Sequence, residues 1–385
     1  MLRLRISLPR QSRRSEIHIG SAIRLNVGRL VCDTLDPLPQ SVCLVSNEKV
    51  FKLFGSGISR ALKLEGLRVE RWLMGDGERF KSLQTLELAL NFLAEKRFER
   101  NDAVIALGGG VVGDLAGLAA SVYLRGVPFV QLPTTLLAQI DSSVGGKTGI
   151  NLAFGKNLAG TFYQPSQVVI DTQTLASLPS RELVAGFCEM VKQALLSDAK
   201  LFEKTLSFLE GTQRRKNEFD NSTFQSLIKE HCKFKASIVA NDERESSARR
   251  DSKSRRILNF GHTTAHALEA VTNYRRFRHG EAVGYGILVA SEISKNLGLL
   301  SSAELELVRR SVGLCGTLPR ADDLDRRLIM RALSFDKKRS GGQVNWVLLK
   351  GIGMPQIVNG GEISEKLIRN ALVAGLSDAE RRTSH

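Results

Sequence analysis

No run of this chain stays apolar for the roughly 18 residues that a membrane-spanning helix needs, so no membrane partner is expected. Cysteine is sparse as well. Cys32, Cys43, Cys188, Cys232 and Cys315 are scattered, odd in number and without a Cys-x-x-Cys pair. That argues against a disulfide framework or a thiolate zinc site and for a reducing, cytoplasmic setting. Aromatic residues make up only 6% of the 385 residues, and none interleaves the basic runs Arg13-Arg14, Arg214-Arg215-Lys216, Arg249-Arg250 and Arg381-Arg382. No nucleic-acid-binding motif accompanies these runs, so they read as solvated faces and no nucleic-acid partner is expected. The formal charge of +15 is then left for anionic substrates or cofactors. The opening residues, Met1 to Arg10, alternate basic and apolar side chains, lack the long apolar core of a secretory signal and read as a strand.

What is present is ordinary globular composition, 42% hydrophobic, over a length that suits two domains or one large one. Strand-like segments at Val42–Ser46, Leu67–Leu73, Ala103–Leu107, Phe129–Leu132 and Val168–Asp171 alternate with helical spacing at Val50–Lys63 and Leu83–Arg97. This alternation predicts a parallel sheet covered by helices, a Rossmann-like α/β domain over residues 1–179. Beyond Leu178-Pro179 the character changes. Arg181–Leu196, Ser222–Ala240, Ile257–Val271, Gly280–Leu297, Ala303–Cys315 and Leu324–Ser334 read as helices, and Val344–Leu349 as a strand. A mostly α-helical domain over residues 180–385 follows, with a ligand cleft expected between the two. The polar segment Ser246–Ser254 reads as a mobile loop.

Gly108-Gly-Gly110-Val111-Val112-Gly113-Asp114 follows a strand and precedes a helix, the context in which G-x-G-x-x-G holds a pyrophosphate on backbone N–H groups. It departs from a standard dinucleotide unit, because the next strand runs into Pro133-Thr134-Thr135 and not into an acidic residue. Asp76-Gly77-Glu78 offers carboxylates for ribose hydroxyls. Gly145-Gly146-Lys147-Thr148 resembles the end of a phosphate-binding P-loop, but Asp141 stands where that template needs its first glycine. Lys147 and Lys156, each beside glycine, remain candidates for an anion cradle against the commoner fate of surface lysine.

Three of the six histidines, His262, His266 and His279, fall in one short stretch. Neutral imidazole ligates metal and carries protons near pH 7, so the crowding points to chemistry. Glu189 lies in an apolar helix, where a carboxylate needs a cation or a partner. Glu189 with two of the histidines makes a donor set that suits zinc with open positions, although spacing does not say which two. The competing reading of Glu189 is an ion pair with Lys192, three residues on.

Together these segments resemble the 3-dehydroquinate synthase family. The match runs through Asp76–Lys81, Gly108–Asp114, Tyr123–Gly126, Pro133–Thr135, Asp141–Asn151, Gly155–Asn157, Gly186–Lys192, Asn259–His266, His279–Gly284 and Asp336–Lys338, in order over nearly the whole chain. The resemblance implies Glu189, His262 and His279 as ligands of one divalent metal, zinc or cobalt, and His266 as a proton carrier. It implies NAD contacts at Asp76, Gly77, Glu78, Arg79, Phe80 and Lys81, at Gly110, Val111, Val112, Gly113 and Asp114, and at Thr134, Thr135, Lys147, Lys156, Thr174, Leu175, Ala176 and Ser177. It implies a substrate pocket of Arg125, Asp141, Lys147, Asn157, Lys192, Lys235, Arg255 and Asn259, joined by Lys337, Lys338 or both. The implied reaction oxidises 3-deoxy-D-arabino-heptulosonate 7-phosphate transiently with NAD, eliminates phosphate, reduces the ketone again and closes a carbocycle by an internal aldol step. NAD is not consumed, and the family implies a homodimer acting on a small sugar phosphate.

Some positions depart from the family. Asn47 replaces an acidic residue, Ala265 replaces a glycine, and Ser246–Ser254 is longer than usual. Cys188, beside Glu189, reads as packing. The nearest rivals are a sister sugar phosphate cyclase, such as 2-deoxy-scyllo-inosose synthase, and a metal-dependent polyol dehydrogenase. Arg255 favours a substrate with a carboxylate, which the sister cyclases' substrates lack.

Overall fold

A computed structural model describes residues 15–214, 221–339 and 345–377, and for 213, 214, 221 and 335–339 the backbone alone. The proposed opening strand in residues 1–10 lies outside the described residues. The first half forms a six-stranded, wholly parallel sheet in the order β1-β8-β5-β4-β2-β3. Its strands are β1 (Glu16–Gly20), β2 (Ser41–Asn47), β3 (Arg68–Met74), β4 (Ala103–Gly108), β5 (Phe129–Pro133) and β8 (Gln167–Asp171). β2, β4, β5 and β8 are buried along their whole length, as a sheet covered on both faces requires.

Helices α1 (Val27–Thr34), α2 (Glu48–Val50) and α3 (Ser56–Leu64) lie N-terminal to α4 (Leu83–Glu95) and α5 (Gly110–Val122). Val31, Ile58 and Leu62 cover one sheet face with Leu44 and Ile105, while Leu93, Val112 and Leu115 cover the other with Val104 and Phe129. Each such fully buried side chain contributes about 1.5–3 kcal/mol relative to exposure.

The stretch Asp141–Asn157, read from sequence as glycine loops, leads into an antiparallel hairpin of β6 (Lys147–Leu152) and β7 (Gly155–Phe162). Gly149 and Gly160 face each other there, and a Cβ on Gly160 would stand 2.0 Å from Thr148 O. Such crowding makes glycine a strand residue at this point, against its usual reading as a turn.

The second half is helical: α6 (Ser180–Leu196), α7 (Ala199–Arg214), α8 (Asn221–Asn241), α9 (His262–Val271), α10 (His279–Asn296), α11 (Ser302–Gly313), α12 (Arg326–Arg339) and α13 (Glu365–Ser377). A two-stranded ribbon, β9 (Asn345–Leu349) with β10 (Pro355–Asn359), accompanies them. The single helix expected over Ile257–Val271 is broken. Arg255–Asn259 is a short 3-10 turn, and Gly261 at φ 78 separates it from α9. α10 is the core helix, buried from Gly280 to Ser294 between α6, α9 and α13.

Ser246–Ser254 is tied down where a mobile loop was expected. Asp242 accepts hydrogen bonds from Ser246 N (2.9 Å), Arg255 N (2.8 Å) and Ser254 Oγ (3.3 Å), and Arg249 Nε donates to Asp251 at 2.8 Å. A polar composition concealed this because its partners are carboxylates inside or just before the same loop. No helix among the described residues is long and apolar enough to cross a membrane.

Candidate active site

The C-terminal ends of β2, β3, β4, β5 and β8 open on one edge of the sheet, the place where parallel α/β sheets hold ligands. The order places β4 beside β2 on the side away from β3, so the chain reverses direction there and leaves a crevice at the β4–α5 turn. Gly109 and Gly110 start α5 against Thr135 and Ser142: a Cβ on either would stand 3.1 Å from Thr135 Cγ2 or 3.0 Å from Ser142 Oγ. Gly113 rests on β5, where a Cβ would meet Gln131 Oε1 at 2.7 Å. The glycine pattern is therefore explained by close helix–strand approach, which also leaves the α5 N-terminus bare of side chains.

The other residues expected at this edge gather around it. Lys81 is buried, with its ammonium 2.5 Å from both Asp114 Oδ2 and Asn157 Oδ1, which ties the Asp76–Lys81 loop to α5 and to β7. Asp76 pairs with Lys49 at 2.7 Å, and Glu78 accepts from Asn151 Nδ2 at 2.8 Å. The Thr135 hydroxyl accepts from Ala138 N at 3.1 Å, and the Thr174 hydroxyl donates to Asp171 O at 2.8 Å. Val112 and Leu175 are buried packing residues, whereas Ala176 and Ser177 are exposed beyond β8.

The turn Ala138–Ser142 joins this edge to the second half. Ser142 touches Gly110, and Asp141 accepts from Lys235 Nζ at 2.6 Å and from Gln193 Nε2 at 3.4 Å. Burial alone would raise the Asp141 pKa, but Lys235 and Lys192 outweigh it and hold the carboxyl well below its ordinary range. Gln193 lies on α6, one residue after Lys192 and four after Glu189.

Glu189, His262 and His279 converge although they come from three helices. Their ligand atoms all lie within 4.8 Å of one another, making the one His/Cys/Asp/Glu group among the described residues that suits a metal ion. Both imidazoles turn Nε2 toward Glu189 Oε1, at 3.9 Å from His262 and 3.7 Å from His279. Their Nδ1 atoms face other partners: Phe260 O at 3.1 Å and Glu269 Oε2 at 3.5 Å. Two glycines permit this convergence. A Cβ on Gly280 would stand 1.9 Å from Ala185 O, and one on Gly286 would stand 1.8 Å from Gly261 O. α10 thus presses its backbone against α6 and against the turn before α9.

Glu189 Oε1 is buried without a hydrogen-bond partner and is faced by two imidazole nitrogens. A divalent cation would satisfy all three, and one carboxylate with two imidazoles is a zinc donor set. The competing ion pair is also present: Lys192 Nζ lies 2.6 Å from Glu189 Oε2, with both side chains buried. Glu189 therefore offers one oxygen to each. Burial would lower the Lys192 pKa, but Glu189 and Asp141 prevail and raise it. Burial, then Lys192 and the other histidines, hold the His262 pKa well below its ordinary value, which favours the neutral imidazole. His266 is exposed, its ring 5.6 Å from that of His262 and 6.1 Å from that of His279.

The remaining expected substrate residues separate into two groups. Lys147, Lys192, Lys235, Arg255 and Asn259 are gathered by shared acidic partners, Glu189, Asp141 and Glu245. Lys147 pairs with Glu245 Oε2, whose Oε1 accepts from Asn259 Nδ2 at 2.8 Å. The Arg255 guanidinium donates to Glu243 O at 2.6 Å, sits over the Phe162 ring at 5.5 Å and would be struck by a Cβ on Gly145 at 2.7 Å. Arg125 is the exception. It is exposed at the far end of α5, and thirteen residues of helix, about 20 Å, separate it from the glycine turn. Within one chain it does not join the pocket. The side chains of Lys337 and Lys338 lie outside the described residues.

Two site carboxylates were not expected from sequence. Glu245 precedes the polar loop with no local signal. Glu269 had one: it is a carboxylate between Ala265-His266-Ala267-Leu268 and Ala270-Val271, on the same helix as two of the histidines.

Comparison with known proteins agrees with this geometry. Residues 71–185 match the family model described as 3-dehydroquinate synthase N-terminal, and residues 186–339 the one described as 3-dehydroquinate synthase C-terminal. A 3-dehydroquinate synthase from Nitrosospira multiformis is 43% identical over 348 residues, 90% of this chain and 91% of that protein. Among solved structures, 2-epi-5-epi-valiolone synthase from Streptomyces hygroscopicus subsp. jinggangensis, with NAD+ and Zn2+ bound, superposes with a TM-score of 0.85 at 27% identity. That match covers 98% of this chain and all of the other. A 2-deoxy-scyllo-inosose synthase shares the fold at TM-score 0.80 and 24% identity, covering 94% of this chain and 96% of the other. Glycerol dehydrogenase from Schizosaccharomyces pombe shares it at TM-score 0.67 and 15% identity, covering 97% and 92%.

Proposed function

The chain belongs to the 3-dehydroquinate synthase family, and from that premise we propose how its own residues carry the reaction. It converts 3-deoxy-D-arabino-heptulosonate 7-phosphate to 3-dehydroquinate and phosphate, with NAD and one divalent metal ion as cofactors. When bound, these supply a reversible hydride acceptor and a Lewis acid at the reacting oxygen.

The buried Glu189 Oε1 facing two imidazole Nε2 atoms is the observation that carries the reading. We assign Glu189, His262 and His279 to the cation. His266, exposed to the crevice beside two of these residues, is placed to carry a proton from or to the substrate. Arg255, buried and braced on Phe162, presents a planar fork for the substrate carboxylate. Lys147, Lys192, Lys235 and Asn259 surround the rest of the anionic substrate. The bare N-terminus of α5 and the loops after β3, β5 and β8 form the NAD edge. The chain divides into an NAD-binding domain, 1–179, and a metal- and substrate-binding domain, 180–385. Five free cysteines, four of them buried, fit a reducing cytoplasm.

The assay is phosphate release with zinc and NAD from the heptulosonate phosphate, run beside sedoheptulose 7-phosphate and glucose 6-phosphate. Only the first should release phosphate, without NADH build-up. Steady NADH accumulation would mark a dehydrogenase, and release from a substrate without a carboxylate would mark a sister cyclase.

The assembly we propose is a homodimer in which Arg125 reaches the crevice of the second copy. The exposed apolar side chains Val122 and Leu124, beside Arg125 at the α5 end, and Leu158 and Phe162 on the hairpin would be covered. Arg125→Ala should raise KM for the sugar phosphate at least tenfold. A sedimentation experiment showing a fully active monomer would sink the idea.

A further inference from the structure

Glu269 has no role in the reaction as assigned above, yet it is buried and bridges two parts of the molecule. Its Oε1 accepts from Lys156 Nζ at 3.0 Å. Its Oε2 stands 3.5 Å from His279 Nδ1, at the outer edge of hydrogen-bond range. The opposite nitrogen of that ring, Nε2, is the one turned to Glu189. Lys156 belongs to β7 of the hairpin, 113 residues away from Glu269. Its ammonium also lies 4.5 Å from the centroid of the Tyr274 ring, and Tyr274 N donates to Glu269 O at 2.8 Å. Tyr274 holds a left-handed backbone, φ 57, to do so.

We propose that Glu269 is a positioning residue for the metal ligand His279, and that Lys156 makes this positioning depend on the hairpin. A ligating histidine must carry its proton on the nitrogen that does not face the metal. An acceptor on that side fixes both tautomer and ring angle. His262 uses a backbone carbonyl for this purpose, and for His279 the Glu269 carboxylate stands on the Nδ1 side. A buried carboxylate needs its own partner, and Lys156 supplies it across the crevice. The order Lys156, Glu269, His279 thus links a strand of the NAD-binding half to the metal in the other half.

The inference rests on the metal set proposed above, and the experiment keeps the two apart. Zinc affinity is measured by chelator competition, without substrate, for the parent, Glu269→Gln, Glu269→Asp, Lys156→Met, the double variant Lys156→Met/Glu269→Gln, and His279→Ala. Glu269→Gln should bind zinc roughly 10–100-fold more weakly. Glu269→Asp should recover part of that loss. Lys156→Met should lose a smaller factor, and the double variant should be no worse than Glu269→Gln, because both act through one path. The visible absorption of the cobalt-loaded protein should change in Glu269→Gln, which a remote structural role would not produce. Parent-like zinc affinity in Glu269→Gln, or losses that multiply in the double variant, would overturn the proposal. If Glu269→Gln does not fold, Lys156→Met decides, since its lysine is partly exposed: parent-like zinc affinity there overturns the linkage. Retention of zinc by His279→Ala would instead defeat the metal set itself.

Discussion

The two walls of the crevice are built on different principles. The wall assigned above to NAD is made of backbone: strand ends, a helix N-terminus and glycines that let them approach. The opposite wall is made of ions. Lys147–Glu245, Lys156–Glu269, Lys192–Glu189 and Lys235–Asp141 are all direct pairs. Such pairing keeps a strongly cationic site neutral before an anionic ligand arrives, and the ligand must displace or share a carboxylate to enter. A backbone wall tolerates exchange of side chains but not added volume. An ionic wall tolerates volume but not loss of a partner.

The largest expected effect is on the ionic side. His279→Ala should lose metal and at least about a thousandfold in kcat/KM together, since a Lewis acid supplies several kcal/mol at the transition state. His266→Ala should keep the metal and lose only turnover. Metal analysis of both variants checks this, and equal metal loss would erase the distinction between ligand and proton carrier.

The backbone wall should fail through volume. Gly113→Val drives a side chain into Gln131 and should cost about 1–3 kcal/mol of stability, with a tenfold or greater rise in KM for NAD and unchanged zinc content. Loss of zinc in this variant would show that the two walls are not separable.

The smallest effect concerns a polar group that uses neither device. His231 is fully buried, hydrogen-bonded to Thr205 at 3.1 Å and Gln193 at 3.2 Å, and burial pushes its pKa down to about 3. Its folded pKa lies below the unfolded value of about 6.5, so the unfolded chain binds the extra proton. Its contribution is therefore intact above pH 6.5 and is lost as pH falls toward 3. Between pH 7 and 5, urea unfolding of the parent should show about 2 kcal/mol more acid destabilisation than His231→Asn. Parallel slopes would refute it.

The backbone wall was largely legible in sequence. β2, β3, β4, β5 and β8 fall within a residue or so of their apolar runs, and for β2, β4, β5 and β8 burial on both faces leaves no other reading. The lysines and arginines of the ionic wall were legible by type, and Glu189 by its apolar surroundings. Their partners were not. Lys147 meets Glu245 at a separation of 98 residues, and Lys156 meets Glu269 at 113, distances over which no local pattern operates. β1 and α13 were missed because each is too short or too mixed in composition to stand out. The hairpin was missed because its glycines imitate loop punctuation. Arg125 was placed in the pocket by motif alone, and the length of α5 removes it from its own chain's crevice.

Gly280 and Gly286 have no side chain, and that is what lets the three donor helices meet. A single added carbon at either position would stand under 2 Å from a carbonyl oxygen, so the axes of neighbouring helices would have to part by an ångström or more. A metal bond tolerates roughly 0.2 Å. Affinity for the ion should thus depend on two missing methyl groups as well as on the donors.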